Sequence, residues 1–421
     1  MTLRSPRFTA LCSLIALILL TLNLRAAITG VPPVLGELQD RFGLTGVEAG
    51  VLATLPELCL GIFSAVTPAL ARRIGTEAAI TAALLVITTG LLLRVVPAQA
   101  ALFTGTVLAG AGIATGNVLV PAVIKRAFPH RVGPLTGLAM MLMSVSGAAA
   151  AGLAVPLGDL GGWRLALAAW AAPSLIAALA WCPLALHGRK RPPEPPPAHA
   201  EQVSLLRSPL AWSITVFMGM TSLMFYTLTA WLPQIMRDHG FSPATAGMMN
   251  AVVIIIGIPL GFLVPVVAAR LRDQRPLVLG VVTLMAIGLV GLLLAPQAGW
   301  VWVAIFGVAT GSAFPIALTL LNLRSPTAAI TARLSGMAQS GGYLLAATGP
   351  LTFGVLHSAT GGWKPSIALL LLLVIPELLC GLAAARPGLV TPSPPSPEGH
   401  PEHPTEPADT PARPTEADRS R

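Results

Sequence analysis

The chain has 421 residues, of which 54% are hydrophobic and 10% are charged. Soluble domains carry about 25% charged residues, so this composition excludes an ordinary soluble protein and indicates a chain that lies within a membrane. The formal net charge of +9 would suit a nucleic-acid partner. The basic residues, however, flank apolar segments rather than form one patch, so we expect no nucleic-acid partner.

Apolar stretches of about 20 residues, the length that crosses a hydrocarbon core of about 30 Å, recur along the chain. They predict an all-α membrane protein with twelve transmembrane helices. Arg4 and Arg7 precede the first apolar run as in a signal peptide, but eleven spans follow and Arg25 interrupts the run, so we expect an uncleaved helix. The predicted spans are 9–33, 46–70, 77–97, 100–124, 133–156, 164–186, 210–236, 244–269, 277–295, 299–323, 332–356 and 365–385.

Two segments are too polar for a helix in lipid. Residues 187–209 contain three consecutive basic residues followed by prolines, and we expect a cytoplasmic linker between an N-terminal bundle, 1–186, and a C-terminal bundle, 210–385. Residues 386–421 are dominated by Pro, Glu, Ser and Thr and lack large apolar side chains. Such a segment buries too little to offset the entropy of ordering, so a disordered cytoplasmic tail is predicted.

The distribution of basic residues predicts the orientation. With both termini in the cytoplasm, only five of the 26 Lys and Arg residues fall on the outer side, and Arg25 falls within a helix. The rest lie on the inner side, as the positive-inside rule requires. The five outer residues are Arg41, Arg94, Arg164, Arg237 and Lys364.

The two predicted bundles share sequence matches in the same order. An offset of 197 residues aligns Gly43-Leu44-Thr45 with Gly240-Phe241-Ser242 and places Pro68 on Pro265. Further along, Gly112–Gly116 matches Gly307–Gly311, and Gly161-Gly162-Trp163-Arg164 matches Gly361-Gly362-Trp363-Lys364. Close helix packing explains a single glycine pair, but it does not explain four matches in the same order, so we infer a duplication.

Several short motifs resemble the major facilitator superfamily and, within it, the bacterial cyanate and 2-nitroimidazole transporter family. They are Leu22-Asn23-Leu24-Arg25-Ala26, the run from Pro121 to Phe128, and Trp231-Leu232-Pro233 with Gly240 and Ala246-Gly247. The superfamily's loop signature after the second helix is degenerate, because Arg72-Arg73-Ile74-Gly75 keeps only its basic residues and final glycine. The resemblance implies the major facilitator fold, two pseudo-symmetric six-helix bundles with a solute site near the midplane.

Three charged residues lie deep in predicted helices, where each needs a partner or a task because burial in lipid is costly. Arg25 is a candidate to bind an anionic or strongly dipolar solute, and Glu57 is a candidate proton-coupling carboxylate. The alternative is an ion pair between the two that only joins their helices. Glu377 falls on the twelfth span, where a packing role is the main expectation.

Uncharged polar residues on the spans that line the cavity in this superfamily complete the candidate set. Each has an alternative role as an interhelical hydrogen bond. The predicted solute-binding residues, taken with Arg25, are Thr29, Asn117, Tyr226, Trp231, Gln339 and Tyr343, and Ser144 and Asn250 are weaker candidates.

The favoured function is a secondary transporter that moves a small anion such as cyanate, or a small polar heterocycle, across the cell membrane by alternating access. The alternative is a membrane sensor that binds the solute without moving it. The chain lacks enzyme motifs and a phosphate-binding Gly-Lys-Ser/Thr loop, so neither an enzyme nor an ATP-driven pump is expected. The four cysteines, Cys12, Cys59, Cys182 and Cys380, lie on separate spans, which predicts no disulfide, metal or cofactor. A monomer in the lipid bilayer is expected.

Overall fold

The computed structural model describes residues 6–189 and 205–390. Within these ranges the regular structure is helical, and twelve helices have 18 or more residues. They are α1 Pro6–Asn23, α2 Gly46–Ile74, α3 Thr76–Leu93, α4 Gln99–Ala127, α5 Val132–Ala168, α6 Ala171–Arg189, α7 Pro209–Asp238, α8 Pro243–Arg270, α9 Arg275–Leu294, α10 Gly299–Arg324, α11 Ala328–Thr360 and α12 Trp363–Ala385.

Membrane-spanning character holds for nearly all of these helices. In the described part of the chain, 11 helical segments are long and apolar enough to cross a membrane. The remaining long helix, α11, has 33 residues but carries many Ser, Thr and Gly residues, because it packs between α7 and α2. The prediction of an all-α, multi-pass membrane protein is confirmed.

The sequence repeat reappears as a pair of equivalent contacts between the two six-helix halves, α1–α6 and α7–α12. Pro68 of α2 packs on Gly336 of α11, where an added methyl group would lie 2.6 Å from Pro68 Cγ. Its sequence match, Pro265 of α8, packs on Gly133 of α5, where a methyl group would lie 2.8 Å from the Pro265 carbonyl oxygen. The halves therefore meet through matching pairs, α2 with α11 and α8 with α5.

The first span is broken, although a continuous helix over 9–33 is predicted. Helix α1 ends at Asn23, and a short helix, Ala26–Thr29, and a 3-10 turn, Pro32–Val34, follow. Arg25 stands at the break with φ −127° and ψ −31°. The break places Arg25 outside α1, so Arg25 and Thr21 do not lie on one regular helix face. The Thr21 hydroxyl donates to the Leu17 and Ile18 carbonyls of α1.

Three other boundaries differ from the predictions. Helix α5 continues past the predicted end of its span until Gly161 and Gly162, whose non-helical dihedrals reverse the chain within the segment assigned as one helix. Helix α6 extends to Arg189, into the predicted linker, of which residues 190–204 lie outside the described residues. The predicted tail also begins later, because Val390 is 1% exposed and its N–H donates to the Arg324 carbonyl at 2.8 Å. Residues 391–421 lie outside the described residues.

The two ends of the helix bundle differ in how tightly the halves meet. We call the end with the connections at residues 75, 128–131, 271–274 and 325–327 the linker end, and the opposite one the distal end. Near the middle of α2, Ser340 Oγ of α11 donates to the Gly61 carbonyl at 2.5 Å. At the linker end, Lys125 Nζ of α4 donates to the Asn322 carbonyl of α10 at 2.7 Å and also to the Ser325 carbonyl. The halves are therefore closed at the linker end.

Candidate functional site

A cavity of about 300 Å³ lies between the two halves, and we call it the central cavity. Residues from α2, α4, α5 and the broken first span line it on one side, and residues from α7, α8, α10 and α11 line it on the other. Both halves therefore contribute to one site near the middle of the bundle. This volume falls at the lower bound of small-molecule sites, which span about 300–1,000 Å³.

The break in the first span brings Arg25 to this cavity. Thr29 Oγ1, one turn further on, donates to the Gly147 carbonyl of α5 at 2.9 Å and so ties the short helix to α5. Gly147 also lies beside the Arg25 side chain, since a methyl group there would be in ordinary contact with Arg25 Cδ at 3.4 Å. The half-buried guanidinium group reaches the cavity past this glycine.

Arg25 and Glu57 line the same cavity, yet they form no ion pair. Among the residues that the structure describes, no nitrogen of Arg25 lies within 4.0 Å of a carboxylate oxygen of Glu57. Neither side chain makes a hydrogen bond to another described residue. The cavity therefore presents one guanidinium and one carboxyl group, both free to contact a solute.

A second, larger cavity of about 990 Å³ lies towards the distal end between α2, α7 and α11. Its wall includes exposed residues such as Thr54, Leu351 and Ser358, so it is open to the surface. Glu57, Tyr226 and Tyr343 line both cavities. These three side chains form the boundary between the central cavity and the distal opening.

The structure brings most of the predicted binding residues together. Thr29, Asn117, Gln339 and Ser144 join Arg25, Tyr226 and Tyr343 around the central cavity. The Gln339 amide nitrogen is already in use, since it donates to the Asn117 carbonyl at 3.1 Å and to Ser335 Oγ at 2.8 Å.

Three predicted residues lie elsewhere. Trp231 lines the second cavity, and its indole nitrogen donates to the Pro350 carbonyl at 2.9 Å. Asn250 and Glu377 line neither cavity, and Glu377 is only 1% exposed on α12. The placement of Glu377 agrees with a packing position rather than with a solute contact.

Sequence reasoning missed the apolar wall of the site. Met140 and Met143 of α5, Phe225 of α7 and Phe314 of α10 supply large flat or flexible surfaces around the charged groups. They carry no signal in the sequence, because apolar residues are abundant on every span. Within the described residues no group of three or more His, Cys, Asp or Glu side chains is placed to hold a metal ion.

Comparison with known proteins identifies the family. The model of the Major Facilitator Superfamily matches residues 13–350. The chain is 38% identical over 374 residues to the uncharacterized transporter YycB of Bacillus subtilis, covering 88% of this chain and 92% of that protein. It is 36% identical over 384 residues to the 2-nitroimidazole transporter of Escherichia coli, covering 88% and 94%. It is 30% identical over 356 residues to the cyanate transport protein CynX of Escherichia coli, covering 83% and 91%.

The fold agrees with this assignment. The solved structure of the proton:xylose symporter XylE matches with a TM-score of 0.71 and 14% identity, covering 88% of this chain and 94% of that chain. A likeness at this identity concerns the fold, and the sequence matches over most of the chain concern the family. The chain belongs to the major facilitator superfamily and is a membrane transporter, not an enzyme.

Proposed function

We propose that the chain is a secondary transporter for a small anion or a small polar heterocycle, and that the solute binds in the central cavity with its negative end on Arg25. The observation that carries this proposal is the guanidinium group of Arg25, which faces the cavity without an ion pair to any described residue. A charge at membrane depth is costly without a partner, and an anionic solute supplies one. The planar guanidinium fork suits a flat anion, which it can hold by two hydrogen bonds.

The remaining residues divide into two groups in this proposal. Asn117 and Thr29 offer polar contacts on the same half as Arg25, and Gln339, Tyr226 and Tyr343 offer an amide and two phenol groups on the opposite half. Glu57 faces both cavities, so it can exchange a proton with the distal opening while it faces the solute. That position suits a proton-coupling carboxylate. Trp231, in the wall of the second cavity, would meet the solute on its way in rather than at the site.

The names of the relatives support a solute of this size. One relative at 36% identity is a 2-nitroimidazole transporter, and another at 30% is a cyanate transport protein. Cyanate is an anion, and 2-nitroimidazole is a flat polar ring. The cavity offers a cation, polar groups and aromatic walls, which suit either one.

We further propose that the protein lies in the cell membrane with its linker end in the cytoplasm. The linker end carries the basic pairs Arg72-Arg73 and Lys125-Arg126 and the residues Arg270, Arg272 and Arg275. The distal end carries few basic side chains, so the positive-inside rule favours this orientation. In this orientation the structure is closed towards the cytoplasm, and a solute enters from outside. Alternating access would then open the linker end while the distal end closes.

The role of Arg25 is tested by measuring solute binding and thermal stability in the same variants. Arg25→Gln should abolish cyanate binding, and Arg25→Lys should weaken it, because lysine keeps the charge but not the planar fork. Neither change should lower stability by the roughly 3–5 kcal/mol expected when a buried ion pair is broken. Binding follows from the ligand-dependent rise in melting temperature, and flux is measured in proteoliposomes.

Glu57→Gln and the double variant supply the control. If Arg25 and Glu57 formed a structural pair, Arg25→Gln would lower stability and the double variant would restore both stability and binding. Recovery of both would therefore overturn the proposed site. Binding without flux in the unchanged protein would instead indicate a sensor.

A further inference from the structure

Arg94, one of the five basic residues expected on the outer side, is buried within the protein. It follows α3 directly, yet its side chain is only 1% exposed. Within the described part of the chain, no carboxylate lies within 4.0 Å of its guanidinium group. Its one hydrogen bond runs from Nη1 to the Ala27 carbonyl at 2.6 Å, while Nε and Nη2 have no partner. Nothing in the solute site described above uses this residue directly.

The carbonyl that Arg94 binds has no donor from its own short helix. That helix cannot continue regularly, because Pro32 and Pro33 have no N–H to offer to the Ile28 and Thr29 carbonyls. The N–H of Val31 donates to the Ile28 carbonyl at 3.3 Å instead of reaching Ala27. The Ala27 carbonyl therefore loses its helical donor. Arg94 replaces it from another helix, and a buried carbonyl without a donor would be costly.

The chain around Arg94 leaves room for this contact. A methyl group at Gly105 of α4 would lie 2.9 Å from the backbone nitrogen of Arg94 and 3.0 Å from its side-chain Cγ. The stem of Arg94 can pass α4 only because residue 105 is glycine. The short helix Ala26–Thr29 is thus held on two sides, by Arg94 at Ala27 and by the Thr29 bond to the Gly147 carbonyl of α5.

We propose that Arg94 is a positioning residue for solute binding, which holds the Ala26–Thr29 turn and thereby fixes the guanidinium group of Arg25 in the central cavity. The inference rests on the proposed function, since it assumes that Arg25 binds the anionic part of the solute. Arg25 lies two residues before the carbonyl that Arg94 holds. Loss of that hydrogen bond releases the turn on one side and lets Arg25 leave the geometry that binds an anion. Solutes that do not rely on Arg25 are not affected.

The test combines two probes with a double-mutant design. Cyanate is the anionic probe, and 2-nitroimidazole, at a pH below the ionisation of its ring N–H, is the neutral one. Arg94→Met should weaken cyanate binding about tenfold, the size expected for one lost charge-assisted hydrogen bond, and leave 2-nitroimidazole binding within about twofold. In transport, KM for cyanate should rise while Vmax stays. Arg94→Lys, which keeps the charge and one donor, should restore most of the affinity.

The Arg25→Gln background separates positioning from general support of the fold. There, cyanate binding is already lost, so 2-nitroimidazole is the probe, and Arg94→Met should change its binding by less than twofold. An equal loss of both probes in the unchanged background, or a loss of 2-nitroimidazole binding in Arg25→Gln, would overturn the inference. If the methionine variant does not accumulate, Arg94→Lys carries the same comparison, with about a threefold loss of cyanate binding expected in the unchanged background and no loss of 2-nitroimidazole binding in Arg25→Gln.

Failure of the proposed function looks different. If Arg25→Gln leaves cyanate binding unchanged, the solute site itself is wrong. If Arg25→Gln abolishes cyanate binding and Arg94→Met leaves it intact, only the role of Arg94 is wrong.

Discussion

The linker end and the distal end of the bundle contain the same helices, but the glycines of these helices are tightly packed at the linker end and unpacked at the distal end. At the linker end, a methyl group at Gly137 of α5 would lie 2.5 Å from the Phe262 carbonyl of α8. At the distal end, Gly152 of α5 and Gly247 of α8 have no neighbouring atom within 4 Å of such a group. The same two helices therefore touch backbone to backbone at one end and stand apart at the other.

The chemistry of the contacts differs as well. At the linker end the halves are joined by Lys125, which donates to the Asn322 carbonyl of α10 and to the Ser325 carbonyl that follows it. Nearer the middle, Ser340 donates to the Gly61 carbonyl. Lys125 lies at the C-terminal end of α10, where the helix dipole favours a positive charge. These contacts involve carbonyl groups rather than carboxylates. They can break without leaving a buried carboxylate unpaired, which suits a contact that must form and break in each transport cycle.

The strongest test of this comparison introduces a side chain where the halves touch. Gly137→Leu should prevent closure of the linker end, because the Phe262 backbone cannot yield as a flexible side chain can. Overpacking a side chain costs about 1–3 kcal/mol, and more when the clash is with backbone atoms. A cost of this size shifts the ratio of the state closed at the linker end to the open state about tenfold or more. We expect transport to be lost. The measurement is the labelling rate of a single cysteine introduced at Ser358, in the second cavity, after the four native cysteines are replaced. This rate reports how accessible the distal end is.

A membrane-impermeant maleimide added to intact cells should label Ser358→Cys quickly, and Gly137→Leu should slow this labelling at least tenfold. Gly152→Leu, on the same helix at the distal end, is the matched control and should leave both rate and transport unchanged. Absence of labelling until the cells are permeabilised would show that the proposed orientation is reversed. Normal transport by Gly137→Leu would show that closure at the linker end is not required.

A smaller effect is expected from the cross-half hydrogen bonds. Lys125→Met removes charge-assisted bonds to the Asn322 and Ser325 carbonyls, which contribute about 1.5–3 kcal/mol before the cost of burying the amine. The labelling of Ser358→Cys should slow about threefold to tenfold, and transport should continue at a reduced rate. Lys364→Met, an exposed lysine at the distal end, is the control and should change neither quantity. Equal labelling rates for the Lys125→Met and Lys364→Met variants would show that Lys125 does not contribute to closure of the linker end.

The sequence predicts the fold better than the details of the site, for physical reasons that differ from residue to residue. The long apolar helices and the ordered repeat follow from local composition, and both are visible in the structure, in twelve long helices and in pairs such as Pro68 and Pro265. Arg25 and Glu57 were found because a charge in an apolar span is conspicuous. Trp231 falls outside the central cavity because it follows Tyr226 by five residues, which is about 140° around a helix. This difference in helical angle can be read from the sequence, and it predicts that Tyr226 and Trp231 point in different directions.

Other features depend on contacts that no local pattern reveals. The turn after the break is hydrogen-bonded by Arg94, which follows another helix, and Arg94 in turn packs against a glycine in α4. Lys125 belongs to a recognisable motif, but its partners are backbone carbonyls of α10, and a carbonyl carries no residue type that could predict it. Val390 is a further example. The composition of its surroundings predicts that it belongs to the tail, whereas in the structure it packs against the bundle.

The smallest effect is expected where a contact lies at the linker end but within a single half. The Val390 N–H donates to the Arg324 carbonyl, and Arg324 in turn donates from Nε to the Ala384 carbonyl at 3.0 Å. Val390→Ala should lower stability by about 1–2 kcal/mol through lost burial. It should change the labelling of Ser358→Cys by less than twofold, because the contact moves with the C-terminal half. Deleting residues 391–421, which follow the described residues, should change neither stability nor flux. Slower labelling in Val390→Ala, or lost flux in the shortened chain, would show that closure depends on more than the contacts between the halves.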